Sequence, residues 1–178
     1  NIGFDPRIFT NLTLIRYFNS ICNLTAVNEN LIDKIYFEKK FQKNNFFYSL
    51  NHNVTGKSLI SKINDLTELL KKNNIDNILI SAPENVAWLL NFRGKDNPNS
   101  PIPNCRAIIT KDKKIFLFAE IYKIKKLKKL PIYNKIYFKN INKIFYIINQ
   151  LKGNNFCIDK LTCSVYHESL INSKFYIK

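Results

Sequence analysis

The sequence predicts an α/β domain with a mixed β-sheet flanked by helices, from about residue 55 to residue 178. Segments with helical spacing of apolar residues alternate there with short apolar runs of strand length. Two of these runs flank the polar turn 111–114, which is typical of an antiparallel hairpin, whereas helical segments separate the others. The chain has 178 residues, of which 46% are hydrophobic, so it can bury a substantial core.

The first helix of this domain begins after Ser58, whose hydroxyl suits an N-cap. A stripe of apolar residues follows at helical spacing as far as Leu70, and two lysines close the helix, where positive charge is favourable. Residues 75–81 form a compact apolar run of strand length. Pro83 then opens a second helix at its first turn.

Residues 91–104 contain three of the six prolines and Gly94, and we expect them to form a structured loop. The alternation of elements then continues along the rest of the sequence. The predicted elements are strands 107–110 and 115–119, a basic helix 122–130, a strand 132–138, a helix 141–151, a strand 156–159 and a helix 164–171.

The first fifty residues resemble a strand–helix–strand unit whose beginning is missing. The segment Gly3-Phe4-Asp5-Pro6 predicts a turn. Leu12, Ile15, Phe18 and Ile21 recur at roughly helical spacing, and apolar segments follow at 24–27 and 31–37. Residues 38–52 lack a clean period, so we expect a linker or an extended crossing between domains. The sequence starts at Asn1 and has no methionine, which indicates a piece of a longer protein.

The formal charge of +15 raises the question of a nucleic-acid partner. Of the 28 basic residues, 24 are lysines, and lysine, isoleucine and asparagine together supply 76 of the 178 positions. These three residues share A/T-rich codons, so the base composition of the gene explains the basicity. Proteins that bind nucleic acids would in addition be expected to use arginine at phosphates and guanines. A basic nucleic-acid-binding module therefore remains the less favoured alternative. No apolar run of about 18 residues exists, so we expect no membrane partner.

Motifs for catalysis are weak in this sequence. Cys22, Cys105, Cys157 and Cys163 include no Cys-x-x-Cys pair, and His52 and His167 lie far apart, so no metal-ligand pattern is present. We expect free, mostly buried thiols in a reducing cytoplasm. The run 54–58 resembles the end of a phosphate-binding loop but lacks the first glycine, because position 51 is asparagine.

The informative stretch runs from Ala87 through Asp96 to Pro101, where a helix ends in an Arg-Gly turn before a proline-rich loop. It closely resembles the second N-terminal domain of cytosolic Xaa-Pro aminopeptidases of the three-domain creatinase/prolidase group. The family pattern is roughly A-W-L-x-N-x-R-G-x-D-x-x-x-x-P, and the matching positions are Ala87, Trp88, Leu89, Asn91, Arg93, Gly94, Asp96 and Pro101.

Other segments match the same family in order, although two aromatic residues differ. Gly3-Phe4-Asp5-Pro6 resembles the family's Gly-Tyr-Asp-Pro, and residues 30–36 resemble its Asn-Leu-Val-Asp-x-Ile-Trp with Tyr36 in place of the tryptophan. Gly56-x-Ser58 with Lys62 matches the junction of the two domains. Ile158-Asp159 and the following helix resemble a late strand and helix of the second domain.

The resemblance implies a creatinase N-terminal-type fold for residues 51–178, preceded by a partial domain of the same type at residues 1–50. It further implies that Arg93, Gly94 and Asp96, together with Asn91, belong to a loop facing a substrate cleft, with Trp88 packing beneath. The family's chemistry lies in a third domain, where two Asp, one His and two Glu hold two divalent metals, expected to be manganese. No catalytic or metal residue, and no cofactor, is therefore assigned to this sequence.

The expected function is that of a non-catalytic N-terminal portion of a cytoplasmic Xaa-Pro aminopeptidase-like protein. It would pack on a peptidase domain in cis or in trans and shape substrate access, and it could form a homo-oligomer. The competing interpretation is a remnant of a truncated or split gene with no activity of its own.

Overall fold

The computed structural model describes residues 1–18, 22–27, 29–36 and 45–178. In chain order the strands and helices are β1 (Ile2–Phe4), α1 (Asn11–Phe18), β2 (Leu24–Ala26), α2 (Leu31–Ile35), β3 (Tyr48–Ser49), α3 (His52–Thr55), α4 (Leu59–Lys72), β4 (Asn77–Ile80), α5 (Pro83–Leu89), β5 (Phe92–Arg93), β6 (Arg106–Thr110), β7 (Ile115–Phe118), β8 (Ile136–Lys139), α6 (Ile144–Gln150), β9 (Asn155–Ile158), α7 (Val165–Asn172) and β10 (Tyr176–Ile177).

Within these residues, a six-stranded mixed sheet has the order β10-β9-β4-β6-β7-β8. Strand β4 pairs in parallel with β9 on one side and antiparallel with β6 on the other. The β6–β7 hairpin is antiparallel, and β8 adds in parallel to β7. The mixed α/β sheet expected from the sequence is thereby confirmed.

Alternating residues of each strand divide the core between the two faces of the sheet. Ala107 and Ile109 of β6 pack with residues of α4 and α5, such as Ile63 and Val86. Ile108, between them in sequence, packs on the other face with residues of α6 and α7. Helices thus cover both faces of the sheet, because residues of α4 and α5 pack on one face and residues of α6 and α7 on the other.

Asp76, immediately before β4, ties three segments of the sheet together. Its Oδ2 accepts hydrogen bonds from the amides of Asn154 (2.8 Å) and Asn155 (3.0 Å), and its Oδ1 pairs with Lys111 Nζ at 2.7 Å. These interactions, led by the Asn155 amide, lower the pKa of Asp76 to about 2. Gly153 has φ +104°, and a Cβ there would lie 2.4 Å from Asp76 Cγ, so glycine is required.

The N-terminal segment departs from the predicted turn at residues 3–6. Residues 2–4 are extended because they pair in parallel with β2, in register from Ile2 with Leu24, and the turn begins only at Pro6. This segment also contacts α7, since the Val165 and Tyr166 amides each donate a 2.8 Å hydrogen bond to the Phe9 and Pro6 carbonyls. The division into domains 1–50 and 51–178 stays a prediction.

Two further expectations were wrong in detail. Residues 122–130 form turns and a 3-10 segment instead of a helix, and a second 3-10 segment, Pro131–Tyr133, delays strand β8 to Ile136. Pro131 lacks an amide hydrogen and so cannot continue a helix, and the buried hydroxyl of Tyr133 donates to the Leu90 carbonyl.

The predicted linker 38–52 is described only in part. Residues 45–52 contain β3 and the start of α3, whereas Ile21, Phe37 and the linker residues 38–44 lie outside the described residues. In the described chain, no helix is both long and apolar enough to cross a membrane.

Candidate functional site

Asn91 lies at the centre of the site predicted from the sequence, between the end of α5 and β5. Its φ is +54°, a left-handed conformation that stops the helix, and it is buried. Its Oδ1 accepts from Lys62 Nζ (2.8 Å), and its Nδ2 donates to the Lys57 carbonyl (2.9 Å). Its own carbonyl accepts from the Leu50 amide (2.9 Å), so Asn91 joins four segments of the chain.

Lys62, on the inward face of α4, is buried to 4% exposure and has its ammonium group in this cluster. Its Nζ donates to the Trp88 carbonyl (2.7 Å) and lies 4.0 Å from the centre of the Trp88 ring. Burial, together with the positive charges of Arg93 and Lys57, lowers the pKa of Lys62. The sequence places this lysine in the apolar stripe of α4, and that position is the signal by which a buried ammonium could have been found.

Trp88 does not pack beneath the loop, contrary to the sequence prediction. Its side chain is 58% exposed, because the buried positions of this short helix are taken by Val86, Ala87 and Leu89. The inward contact of the ring is made by the Lys62 ammonium. Trp88 therefore presents a large aromatic surface to the outside of the domain.

Arg93 caps the carbonyl end of α5. Its Nη1 donates to the carbonyl oxygens of Phe92 (2.9 Å) and Ala87 (3.1 Å), which positions the guanidinium across the last helical turn. Its backbone pairs with Tyr48 of β3, so the short sheet β3–β5 fixes where the loop begins.

The loop after Arg93 is clamped at two points. Gly94 is buried, its amide donates to the Pro101 carbonyl (3.1 Å), and a Cβ would lie only 2.7 Å from Pro103 Cα. Asp96 Oδ1 pairs with Lys123 Nζ at 2.7 Å, while Oδ2 accepts from the Asn104 amide at 2.6 Å. Burial opposes the charge on Lys123, but its bonds to Asp96 and Glu120 outweigh burial and raise its pKa. The two ends of the loop are thus held together from within the chain.

A comparison with known domain families decides the identity of this fold. The model of the creatinase/prolidase N-terminal domain matches residues 38–178. The chain belongs to this family.

Relatives of this creatinase/prolidase N-terminal chain include proteins named Xaa-Pro aminopeptidases. A probable Xaa-Pro aminopeptidase P of Leptosphaeria maculans is 29% identical over 163 residues, which cover 89% of this chain and 27% of the relative. Xaa-Pro aminopeptidase 1 of Dictyostelium discoideum is 31% identical over 136 residues, or 69% of this chain and 21% of the relative. The chain therefore spans about a quarter of the length of these relatives.

A solved structure shares the fold of the whole described chain. The X-prolyl aminopeptidase from Caenorhabditis elegans, described as a cytosolic enzyme with a di-nuclear active site, superposes with a TM-score of 0.84. The match covers 99% of this chain and 31% of the enzyme, at 20% sequence identity. At that identity the match establishes the fold alone.

The two histidines of this creatinase/prolidase N-terminal domain differ in their surroundings. His52 is exposed in α3, whereas His167 is buried in α7 with its Nδ1 2.9 Å from Ser164 Oγ. Burial raises the pKa of the Cys163 thiol to about 12, and all four cysteines are free. Among the described residues, no three His, Cys, Asp or Glu side chains cluster as metal ligands would.

Of the residues predicted from the sequence, Asn91, Arg93, Gly94 and Asp96 are held by contacts inside the chain, and Trp88 is exposed. Their role toward a substrate cleft stays a prediction. Sequence reasoning missed Tyr133, whose buried hydroxyl lies 3.1 Å from the Leu90 and Asn91 carbonyl oxygens. Because it lies in a basic, aperiodic segment, no local pattern marks this tyrosine.

Proposed function

We propose that this chain is the non-catalytic N-terminal portion of a cytoplasmic Xaa-Pro aminopeptidase-like protein, and that it shapes substrate access to a separate metallopeptidase domain. The observation that carries the proposal is the clamped loop 93–104, which keeps the conformation of a family motif by contacts internal to the chain. A loop held in this way can present one fixed wall to a neighbouring domain, and a fixed wall excludes long or folded chains from a cleft.

The exposed ring of Trp88 supports a contact at the same corner. Trp88 stands on the last turn of α5, where Arg93 bonds to the adjacent Ala87 carbonyl. Tryptophan and arginine side chains are typical anchors of protein–protein contacts. The proposal therefore assigns the peptidase domain, in cis or in trans, to the face that carries Trp88 and Arg93.

The catalytic metals belong to that peptidase domain in this proposal. Two divalent ions held by that domain, expected to be manganese, would supply the Lewis acid and the activated water for peptide hydrolysis. In this proposal the present chain positions the substrate and excludes long or folded chains, and it supplies no group to the proton transfers.

The test is a pair of matched aromatic variants in the longer protein that contains both regions. Trp88→Ala is expected to lower kcat/KM for Xaa-Pro peptides, with added manganese, by at least about tenfold. The melting temperature should change by only about 2–4 °C, because the ring is exposed and its main inward contact is with one ammonium. Tyr146→Ala is the control, since Tyr146 is 56% exposed on α6, on the other face of the sheet.

A companion variant separates substrate access from stability. For Arg93→Ala, the loss of kcat/KM, expressed as a free energy, is expected to exceed the loss in free energy of unfolding. Arg16→Ala is the control. If these variants affect only the melting temperature, the loop is structural and the proposal fails. It fails equally if a stop codon follows soon after residue 178 and no peptidase co-purifies, in which case the chain is a remnant without activity of its own.

A further inference from the structure

Arg106 differs from the other three arginines in the partners of its guanidinium group. Arg7 pairs with Asp5 (Nε–Oδ1 3.4 Å), Arg16 lies 5.6 Å from the Tyr17 ring, and Arg93 bonds to two carbonyls. The side chain of Arg106, half-buried at the start of β6, has no hydrogen-bond or ion-pair partner among the residues that the structure describes. An uncompensated, partly desolvated guanidinium is costly, because burial removes water without replacing it by an acceptor.

The side chain of Arg106 lines an open cavity of about 640 Å³. The cavity lies between the N-terminal segment and the main sheet, with Pro6, Arg7 and Ile8 on one side and residues of α6 and α7 on the other. No fully buried side-chain nitrogen in the described chain is without a partner, so the unbonded guanidinium nitrogens of Arg106 still reach solvent. They are therefore available to a ligand that enters the cavity.

The surroundings favour an anion over a cation. The positive charge of the lining comes from Arg106, since Arg7 also lines the cavity but pairs with Asp5. His167 is buried nearby with its pKa lowered to about 4, by burial first and by Arg106 second. The carboxylates of the adjacent segments are engaged, since Asp5 pairs with Arg7 and Glu168 accepts from Asn11 Nδ2 at 2.9 Å. Asn142 and Tyr166 add polar groups to the lining.

We propose that this cavity, the Arg106 cavity, binds an oxyanion, either the carboxylate or the phosphate group of a small organic ligand. The planar guanidinium fork matches both groups with two parallel hydrogen bonds. Ile8, Ile144 and Phe145 form apolar walls, so the anionic group is expected to carry an apolar substituent. Such a ligand bridges the N-terminal segment and the main sheet, and this role is independent of the proposed contact with a peptidase domain.

Binding is measured with inorganic phosphate, acetate and benzoate on the 178-residue chain, against sodium chloride of equal ionic strength. Four arginines give four side-chain Nε–Hε signals by NMR, and the signal missing from Arg106→Met identifies Arg106. That signal is expected to shift saturably with the oxyanions, with benzoate binding more tightly than acetate. Arg106→Met should weaken binding by at least about tenfold, whereas Arg16→Met should leave it unchanged.

Thermal unfolding separates ligand binding from a structural role. The oxyanions are expected to raise the melting temperature of the wild-type chain and of Arg16→Met, but not that of Arg106→Met. Without ligand, Arg106→Met should be as stable as the wild type or more so, because the arginine has no partner to lose. The proposal is overturned if no oxyanion shifts the Arg106 signal, or if Arg106→Met binds benzoate as well as the wild type does.

Discussion

At the scale of single residues, Asn91 combines two properties that different residues usually supply. Its left-handed backbone, with φ +54°, is a conformation that glycine adopts at least cost. Its amide group supplies an acceptor to the buried Lys62 ammonium and a donor to the Lys57 carbonyl. Glycine would adopt the left-handed backbone but would leave the Lys62 ammonium without this acceptor. Because that ammonium is a buried charge, the loss of the side chain should affect stability more than the gain in backbone freedom does.

Asn91→Gly is accordingly expected to lower the free energy of unfolding by about 2 kcal/mol, because the Lys62 ammonium loses an acceptor. Asn74 has the same φ of +54° but is exposed, so Asn74→Gly is the matched control and should change stability by less than about 0.5 kcal/mol. Chemical denaturation measures both variants.

A double-mutant cycle tests the cause of that loss. Adding Lys62→Met to Asn91→Gly removes the unpaired charge and is expected to recover part of the stability. Equal effects of Asn91→Gly and Asn74→Gly would mean that Asn91 is needed only for its backbone conformation.

At the scale of elements, Asp76 is the connection that the parallel and antiparallel halves of the sheet share. Its carboxylate binds the amides before and at the start of β9, and it pairs with Lys111 of the β6–β7 hairpin. Because these contacts favour the charged form, the pKa of Asp76 in the folded chain lies near 2, below its ordinary value. The stabilisation is thus fully present above about pH 4 and declines as the pH falls through about 2.

Asp76→Asn should therefore be less stable than the wild type at pH 7, by roughly 2 kcal/mol. The difference should shrink as the pH falls from about 4 toward 2. Denaturant unfolding over this pH range is the measurement, and Asp112→Asn, an exposed position in the same hairpin, is the control. A stability difference that does not depend on pH would contradict the assigned role of the carboxylate.

The elements that the sequence predicts well are those whose information is local. The apolar stripe and the Ser58 cap define α4, and Pro83 defines the start of α5; the Ser58 side chain accepts from the Ser61 amide at 3.1 Å. Strand β1 could not be predicted, because its extended conformation depends on pairing with β2. The helix predicted at 122–130 and the strand predicted at 132–138 were wrong in detail for a similar reason. The buried Tyr133 hydroxyl donates to the carbonyls of Leu90 and Asn91, which are distant in sequence.

At the scale of the whole molecule, the family motif predicted the fold, but it could not predict the environment of each motif residue. The spacing of Trp88 and Asp96 carries no information about exposure. Trp88 is exposed because α5 buries its neighbours instead, and Asp96 is held by Lys123, which no local pattern connects to it. The Arg106 cavity was equally beyond sequence reasoning, because its walls come from segments far apart in the chain.

The order of strands in the sheet has a consequence for how the chain folds. Strands β6 and β7 are joined by a short turn, whereas Asn77 of β4 pairs with Phe156 of β9. Closing the long loop between β4 and β9 costs more entropy than forming the hairpin, so the hairpin should form first. Pulse-labelled hydrogen exchange during refolding should protect amides 106–118 before amides 155–158, and the reverse order would refute this sequence of events. On the ribosome, the central strand of the sheet then stays without one neighbour until the segment 155–158 has emerged, so its exposed edge is a place where a chaperone can bind during synthesis.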